Sequence, residues 1–365
     1  MLASNGRLIT IVWIIFLTIF YLTSGYIATT RIYDDKVESE QRQKQRIDPK
    51  MTENGKTQVN AQALLQQAND DYDEVIVGIY ADRIIDLSAK LTGWSVDFYI
   101  WFNWDNEALN PGETFQIVDG EIKSKVRLKN MSHDGQYYAL YRVKARITKF
   151  FNVVSYPLDH HMLSIHIEDK KHPWHMLRYV PDQRATTYSS RIKVPGYKLT
   201  NVDIISKPHA YKTNRGNPAL PDNYQAVYSQ ITYGINIERP DWGLYFKMFQ
   251  GLFASVAIAL LAFILGSSAK ERFSLGVGAF FASVGSSYMN MNHLPGVGIV
   301  TLIDMANGLT MGTIFLTLLG SALSSGIASN ENQQSIAKLF NRVSLIFFIG
   351  GFVSVHLLMA LIAAS

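Results

Sequence analysis

From Met248 onward the chain is almost free of formal charge, and that limits what it can fold into. Met248 to Ala269 is 22 uncharged residues, Phe273 to Asn292 is 20, and Met305 to Asn330 is 26. Val343 to Ser365 is 23, with His356 its single ionisable side chain. A hydrocarbon core takes ~20 helical residues. A soluble chain of 365 residues lacks the core to bury four helices that are apolar all round. Four membrane spans are therefore expected. One more uncharged run, Leu8 to Thr30, follows Arg7. It reads as a signal peptide or a signal anchor over residues 1–30. Its length, and the lack of a small-residue cleavage site after it, favour the anchor. Either one exports the polypeptide on its C-terminal side.

Residues 31–72 are polar and read as a solvated linker with short helical tendency. The acidic cluster Asp70, Asp71, Asp73 and Glu74 lacks the ligand spacing and glycine of a calcium loop. Residues 73–240 have a different pattern. In SVDFYIWFNW, Val96, Phe98, Ile100, Phe102 and Trp104 alternate with Asp97, Tyr99, Trp101 and Asn103. Leu163, Ile165 and Ile167 alternate in the same way, and Tyr228 to Ile237 reads as another strand. Turn signals such as NPGE, DGE, HDG and VPG separate these runs. The expected fold class is membrane α + β. An antiparallel β-sandwich is followed by a four-helix transmembrane domain over residues 241–365, with an N-terminal hydrophobic helix ahead of both.

A net charge of +4 is too small and scattered to argue for nucleic acid. The absence of cysteine excludes disulfides and thiolate metal sites. No nucleophile–base pairing, phosphate loop or metal-ligand spacing appears, so no enzyme, cofactor or metal is expected. Exporting the β-rich part places Lys270, Glu271 and Arg272 in the cytoplasm, together with the loop from Glu331 to Arg342, which agrees with the positive-inside tendency.

The second of the four runs is unusually polar. On a helix, steps of three and four place Ser274, Gly278, Phe281, Gly285, Tyr288 and Asn292 on one stripe. Leu275, Val277, Phe280 and Val284 flank it. Such a stripe suits close helix packing or a water-facing surface, not lipid. Glu271 stands at its cytoplasmic end. Repeated around an axis it would form a carboxylate ring that concentrates cations, and Phe281 would form a constriction. The plainer reading of Glu271 is an interfacial charge neutralised by Lys270 or Arg272.

Four stretches together resemble the pentameric ligand-gated ion channel superfamily in its prokaryotic branch. They are YPLDHHMLSIHIE (Tyr156 to Glu168), INIERPDWGLYF (Ile235 to Phe246), the polar helix from Lys270 to Gly296, and TLIDMANGLTMGTIFLTLLGSAL with Asp304 near its start. The resemblance implies a homopentamer in a plasma (inner) membrane, multi-pass, with a periplasmic or extracellular N-terminal domain. It implies an axial pore lined by the polar helix and passing monovalent cations. It also implies a coupling zone containing Pro157, Asp159, Arg239 and Pro295, with Asp159 and Arg239 as an ion pair. Lys149 and Leu163 stand where animal members of the family place a disulfide.

Family agonists bind in an aromatic cage between subunits, where ring faces attract cations. Matching positions are Trp174, Tyr211, Tyr224 and Tyr228, with Tyr99 and Trp101 supplied by the neighbouring subunit. The ligand is an unidentified small molecule or protons. His160, His161, His166, His172 and His175 cluster in sequence, but strand alternation separates His161 from His166. The expected function is a cation-selective, ligand-gated channel. The alternative is a non-conducting, membrane-anchored periplasmic sensor or adaptor.

Overall fold

A computed structural model describes residues 6–48, 72–88, 90, 92–211, 213, 216, 218, 226–240, 242–267, 269–291 and 298–365. Tyr224, Asn292 and Pro295 lie outside the described residues. The chain divides into two compact units. One is helical and comprises residues 1–37, 152–159 and 241–365; the other is β-rich and comprises residues 38–151 and 160–240.

The helical unit contains α1 (Gly6–Ile47, whose last ten residues belong to the β unit), α2 (Gly243–Leu260, extended by a 3-10 turn to Phe263), α3 (Glu271–Met291), α4 (Leu302–Ala328) and α5 (Gln334–Ala364). Among the described residues, four segments are long and apolar enough to cross a membrane: Gly6–Ile47, Gly243–Phe263, Leu302–Ala328 and Glu331–Ala364. This overturns the expected β-sandwich followed by a four-helix transmembrane domain. An apolar helix comes first, the β-rich domain second, and three apolar helices last. The physical reason lies in α3. Its Glu271, Arg272, glycines, serines and Asn290 keep it short of the apolarity of its neighbours, so α1 and not α3 is among the four apolar segments.

α1 is an integral part of the unit and not a detached anchor. Thr10, Trp13, Leu17, Tyr21, Gly25, Ala28 and Ile32 are buried at steps of three and four, one helical face. Trp13 Nε1 donates to Ser344 Oγ at 3.1 Å, and the Tyr21 hydroxyl meets Thr313 Oγ1 at 3.1 Å. Gly351 leaves room for the Tyr21 ring, with which a Cβ at that position would collide. Lys36 Nζ donates to Ser365 Oγ at 3.1 Å. These contacts pair 13 with 344, 21 with 351 and 36 with 365, so α1 and α5 run parallel in one sustained register. Threonines along α1 do not break it. Thr10, Thr18, Thr23 and Thr29 each return the hydroxyl to a carbonyl four residues back at 2.7–2.8 Å, so these hydroxyls are matched in an apolar setting. The helix continues to Ile47 through the polar segment, where Glu38–Arg42 and Glu40–Lys44 pair across one turn.

α4 opens on a capping box. Asp304 accepts from the Thr301 backbone at 2.9 Å, and the Thr301 hydroxyl accepts from the Asp304 backbone. The acidic residue that marks this helix in the sequence therefore has a local structural task.

The β unit holds two sheets. One has the path β4-β5-β2-β1-β7, with β8 beside β1; the other is β3-β6-β10-β9. The strands are β1 (Asp73–Ser88), β2 (Gly93–Trp104), β3 (Phe115–Ile117), β4 (Gly120–His133), β5 (Gln136–Thr148), β6 (His160–Asp169), β7 (Leu177–Pro181), β8 (Thr187–Tyr188), β9 (Lys198–Ala210) and β10 (Val227–Glu238). Pairing is antiparallel except that β7 and β8 run parallel to β1. The alternation read in β2 holds, with Val96, Phe98, Ile100 and Phe102 fully buried. Asp97 is the exception. It is fully buried on the opposite face because Arg83 and Arg142 both donate to it, and they hold its carboxyl below the usual range against the opposing effect of burial. Leu163, Ile165 and Ile167 of β6 are also fully buried. Phe102 and Phe115, from different sheets, meet at 5.4 Å between ring centres.

Candidate functional site

α3 has two unlike faces. Its buried face is Arg272, Gly276, Ala279, Ser283, Ser287 and Asn290. Small residues let neighbouring helices approach: a Cβ on Gly276 would collide with Leu318 of α4. Asn290 Nδ2 donates to the Met248 carbonyl of α2 at 3.1 Å, and Ser287 returns its hydroxyl to Ser283. The other face carries the stripe read from the sequence. Ser274, Gly278, Phe281, Gly285 and Tyr288 are all exposed in the protomer, Phe281 and Tyr288 at 70%. Nothing lies within 4 Å of a Cβ added to Gly278 or Gly285. The packing role and the stripe therefore fall on different residues of one helix. Val277, Phe280 and Val284 are exposed beside the stripe.

Glu271 and Arg272 separate at the start of α3. Arg272 is fully buried, donates to Ser324 Oγ at 3.2 Å and to Asn341 Oδ1 at 3.1 Å, and lies over the Phe263 ring. It does not neutralise Glu271. Glu271 is exposed and makes no ion pair among the described residues. No local pattern signals that Arg272 faces inward, because its partners lie 52 and 69 residues away.

The segment after β5 belongs to the helical unit, although the strands on both sides of it belong to the β unit. Tyr156 and Leu158 pack into the helical core, and the backbone N–H of Leu302 donates to the Val154 carbonyl at 2.7 Å. Asn152 donates to Asp35 of α1 at 2.6 Å. Pro157 follows a cis peptide bond, and Asp159 is buried. Arg239 belongs to the β unit. Its guanidinium lies 3.8 Å over the Tyr197 ring and donates to the Tyr197 hydroxyl and the Gly196 carbonyl.

The aromatic candidates are largely engaged by the protein itself. Arg178 stacks over Tyr72 at 3.5 Å and over Trp174 at 5.0 Å. Arg142 lies 5.3 Å over Tyr99, and Trp101 donates to Asp182 at 3.1 Å. Guanidinium groups thus already lie over the Trp174 and Tyr99 rings. Tyr211 and Tyr228 meet edge to face at 5.8 Å. Tyr211 donates to Glu168 at 2.8 Å; this buried carboxylate also accepts from Gln230 and pairs with His209.

The histidine cluster does not converge. His161 lies against Phe151 and Tyr197, while His166 meets Thr232 on the opposite face of β6. Burial, with Arg46 and Lys207 nearby, pushes His166 down to about 3, so it stays neutral. The groups drawn towards neutral pH are of other types. Burial raises Asp119 to about 7 and lowers Lys149 to about 7.

The fold and its four apolar helices define a membrane protein. No family model matches the chain, and no curated protein matches it.

Proposed function

We propose that the chain is the subunit of a homopentameric ligand-gated ion channel that selects monovalent cations, with α3 lining the pore. In this reading the β unit lies on the periplasmic or extracellular side of a plasma (inner) membrane. One observation carries the proposal. α3 leaves Ser274, Gly278 and Gly285 uncovered in one stripe with Phe281 and Tyr288, flanked by uncovered Val277, Phe280 and Val284, while α1, α2, α4 and α5 leave Leu, Ile and Phe as well as single glycines uncovered. Uncovered apolar side chains suit lipid; uncovered hydroxyls and glycines suit water or a like helix around an axis.

Glu271 is free to form the cation-concentrating ring, because Arg272 is turned inward onto Ser324 and Asn341. Phe281 forms the constriction, with Tyr288 a second one. Gating couples through the segment containing Pro157 and Asp159, which packs with the helices while continuing into β6. The Arg178 guanidinium over Trp174 favours a small anionic ligand over a cationic one.

The test has two arms. The mass of the protein in mild detergent is expected to be that of five chains. Reconstituted vesicles are expected to pass cations when screened with small anions and with pH steps. Any other stoichiometry overturns the proposal, as does the absence of flux under every condition in a correctly assembled pentamer.

A further inference from the structure

At one end of the helical unit a cleft of about 400 Å³ opens between the turn after α2 and the start of α5. Its lining is mixed. Lys338 and Arg342 stand one helical turn apart on α5 and line the cleft together with Asn341 and Ser267; Ile264 and Leu265 supply its apolar lining. Ile264 is 68% exposed. The polar wall is fixed from behind. Asn341 accepts from Arg272 and from Ser324 and donates to Ser267 at 3.1 Å, so its amide cannot swing away. The two cations are uncompensated. Like charges at i and i+4 repel, and among the described residues neither Lys338 nor Arg342 makes an ion pair. Buried Arg272 adds a third positive charge behind the same wall.

We propose that this cleft binds the phosphate of an anionic phospholipid, with Lys338 and Arg342 on the headgroup and Ile264 and Leu265 against the upper acyl chain. The chemistry that recognises a phosphate is a guanidinium fork with a neighbouring ammonium. A lipid is favoured over free phosphate because Ile264 and Leu265 share the lining with the two cations. The cleft also sits where three apolar segments end or begin: Gly243–Phe263, Leu302–Ala328 and Glu331–Ala364. Basic pockets at the ends of membrane helices suit anionic headgroups. The inference needs only that the helices lie in a bilayer and is independent of conduction.

The experiment measures melting temperature of the full chain in neutral detergent against added phosphatidylglycerol, phosphatidylcholine or inorganic phosphate. Phosphatidylglycerol is expected to raise it saturably, since a ligand of the folded state stabilises by mass action. In K338Q/R342Q the midpoint of that titration is expected to weaken by about tenfold or more, while K338R/R342K keeps it near the wild-type value. Three results overturn the proposal: an equal shift with phosphatidylcholine, an unchanged midpoint in K338Q/R342Q, or inorganic phosphate alone reproducing the full shift. If K338Q/R342Q is itself destabilised, K338R/R342K decides. Retained phosphatidylglycerol selectivity supports the site, and its loss overturns it.

Discussion

α3 and α5 belong to one unit and use the same residue types for opposite ends. α5 buries Phe348, Phe352 and His356 and leaves Ile346, Val353, Leu357 and Leu361 uncovered. α3 buries Gly276, Ala279 and Ser283 and leaves Ser274, Phe281 and Tyr288 uncovered. Each helix carries glycines of both kinds. The site of Gly351 on α5 is filled by the Tyr21 ring of α1 and that of Gly276 on α3 by Leu318, whereas Gly350 of α5 and Gly278 and Gly285 of α3 face open space in the protomer. A glycine in a membrane helix can admit a neighbour or can keep a surface clear. Only the neighbours say which.

Truncating one large ring on each surface is the strongest way to break this comparison. Trp13 is 4% exposed, contacts Phe340 and Phe348, and bonds Ser344. Trp13→Ala is expected to cost about 3–5 kcal/mol, as large-to-small changes in packed cores do, seen as a lower midpoint of unfolding in detergent. Phe281→Ala removes a ring that is 70% exposed and is expected to change that midpoint by less than about 0.5 kcal/mol. Its effect belongs in conductance: a wider constriction raises spontaneous current. Equal destabilisation by the two variants would mean that Phe281 is a packing residue.

The glycines give a smaller version. Gly351→Val drives a methyl-bearing carbon into the Tyr21 ring and is expected to cost about 1–3 kcal/mol by overpacking. Gly350, one residue earlier, has nothing within 4 Å and serves as the control. Gly278→Val is expected to leave the unfolding midpoint within about 0.5 kcal/mol while lowering single-channel current. A Gly278→Val chain that melts like Gly351→Val would erase the distinction between the two positions. Glu271→Gln tests the mouth of the same surface. Cation over anion selectivity, read from reversal potentials in a salt gradient, is expected to fall without a change in melting. An unchanged reversal potential removes Glu271 from selectivity.

The sequence made some of this legible, for reasons specific to each element. Period-two alternation located β2 and β6, because each has a face buried in a shared core. Asp97 broke the pattern, since arginines on β1 and β5 satisfy it and neither pairing can be read locally. Hydropathy found the first uncharged run but not its fate. The steps of three and four from Trp13 to Ile32 mark a packing face, yet an anchor and an integral helix share that composition. The stripe on α3 was legible from spacing alone. The inward turn of Arg272, and the guanidinium groups over Trp174 and Tyr99, were not, because each depends on residues far away along the chain.

The finest test of the α1–α5 side concerns one hydroxyl. Tyr21 lies against Gly351 of α5, and its hydroxyl meets Thr313 of α4, whose side chain is fully buried. Tyr21→Phe keeps the ring and removes only that bond. Hydrogen bonds between membrane helices average about 0.6 kcal/mol, because groups that lose one partner often find another. Thr313 can return its hydroxyl to a backbone carbonyl of its own helix, as the threonines of α1 do. A loss of about 0.5–1 kcal/mol is therefore expected, with a coupling of similar size in a cycle with Thr313→Val. A coupling near zero would mean that α1 is held by ring packing at Trp13 and Gly351 alone. A coupling well above ~1 kcal/mol would mean that the hydroxyl pair fixes the depth at which α1 sits against α4, a constraint that no residue on the uncovered face of α3 supplies.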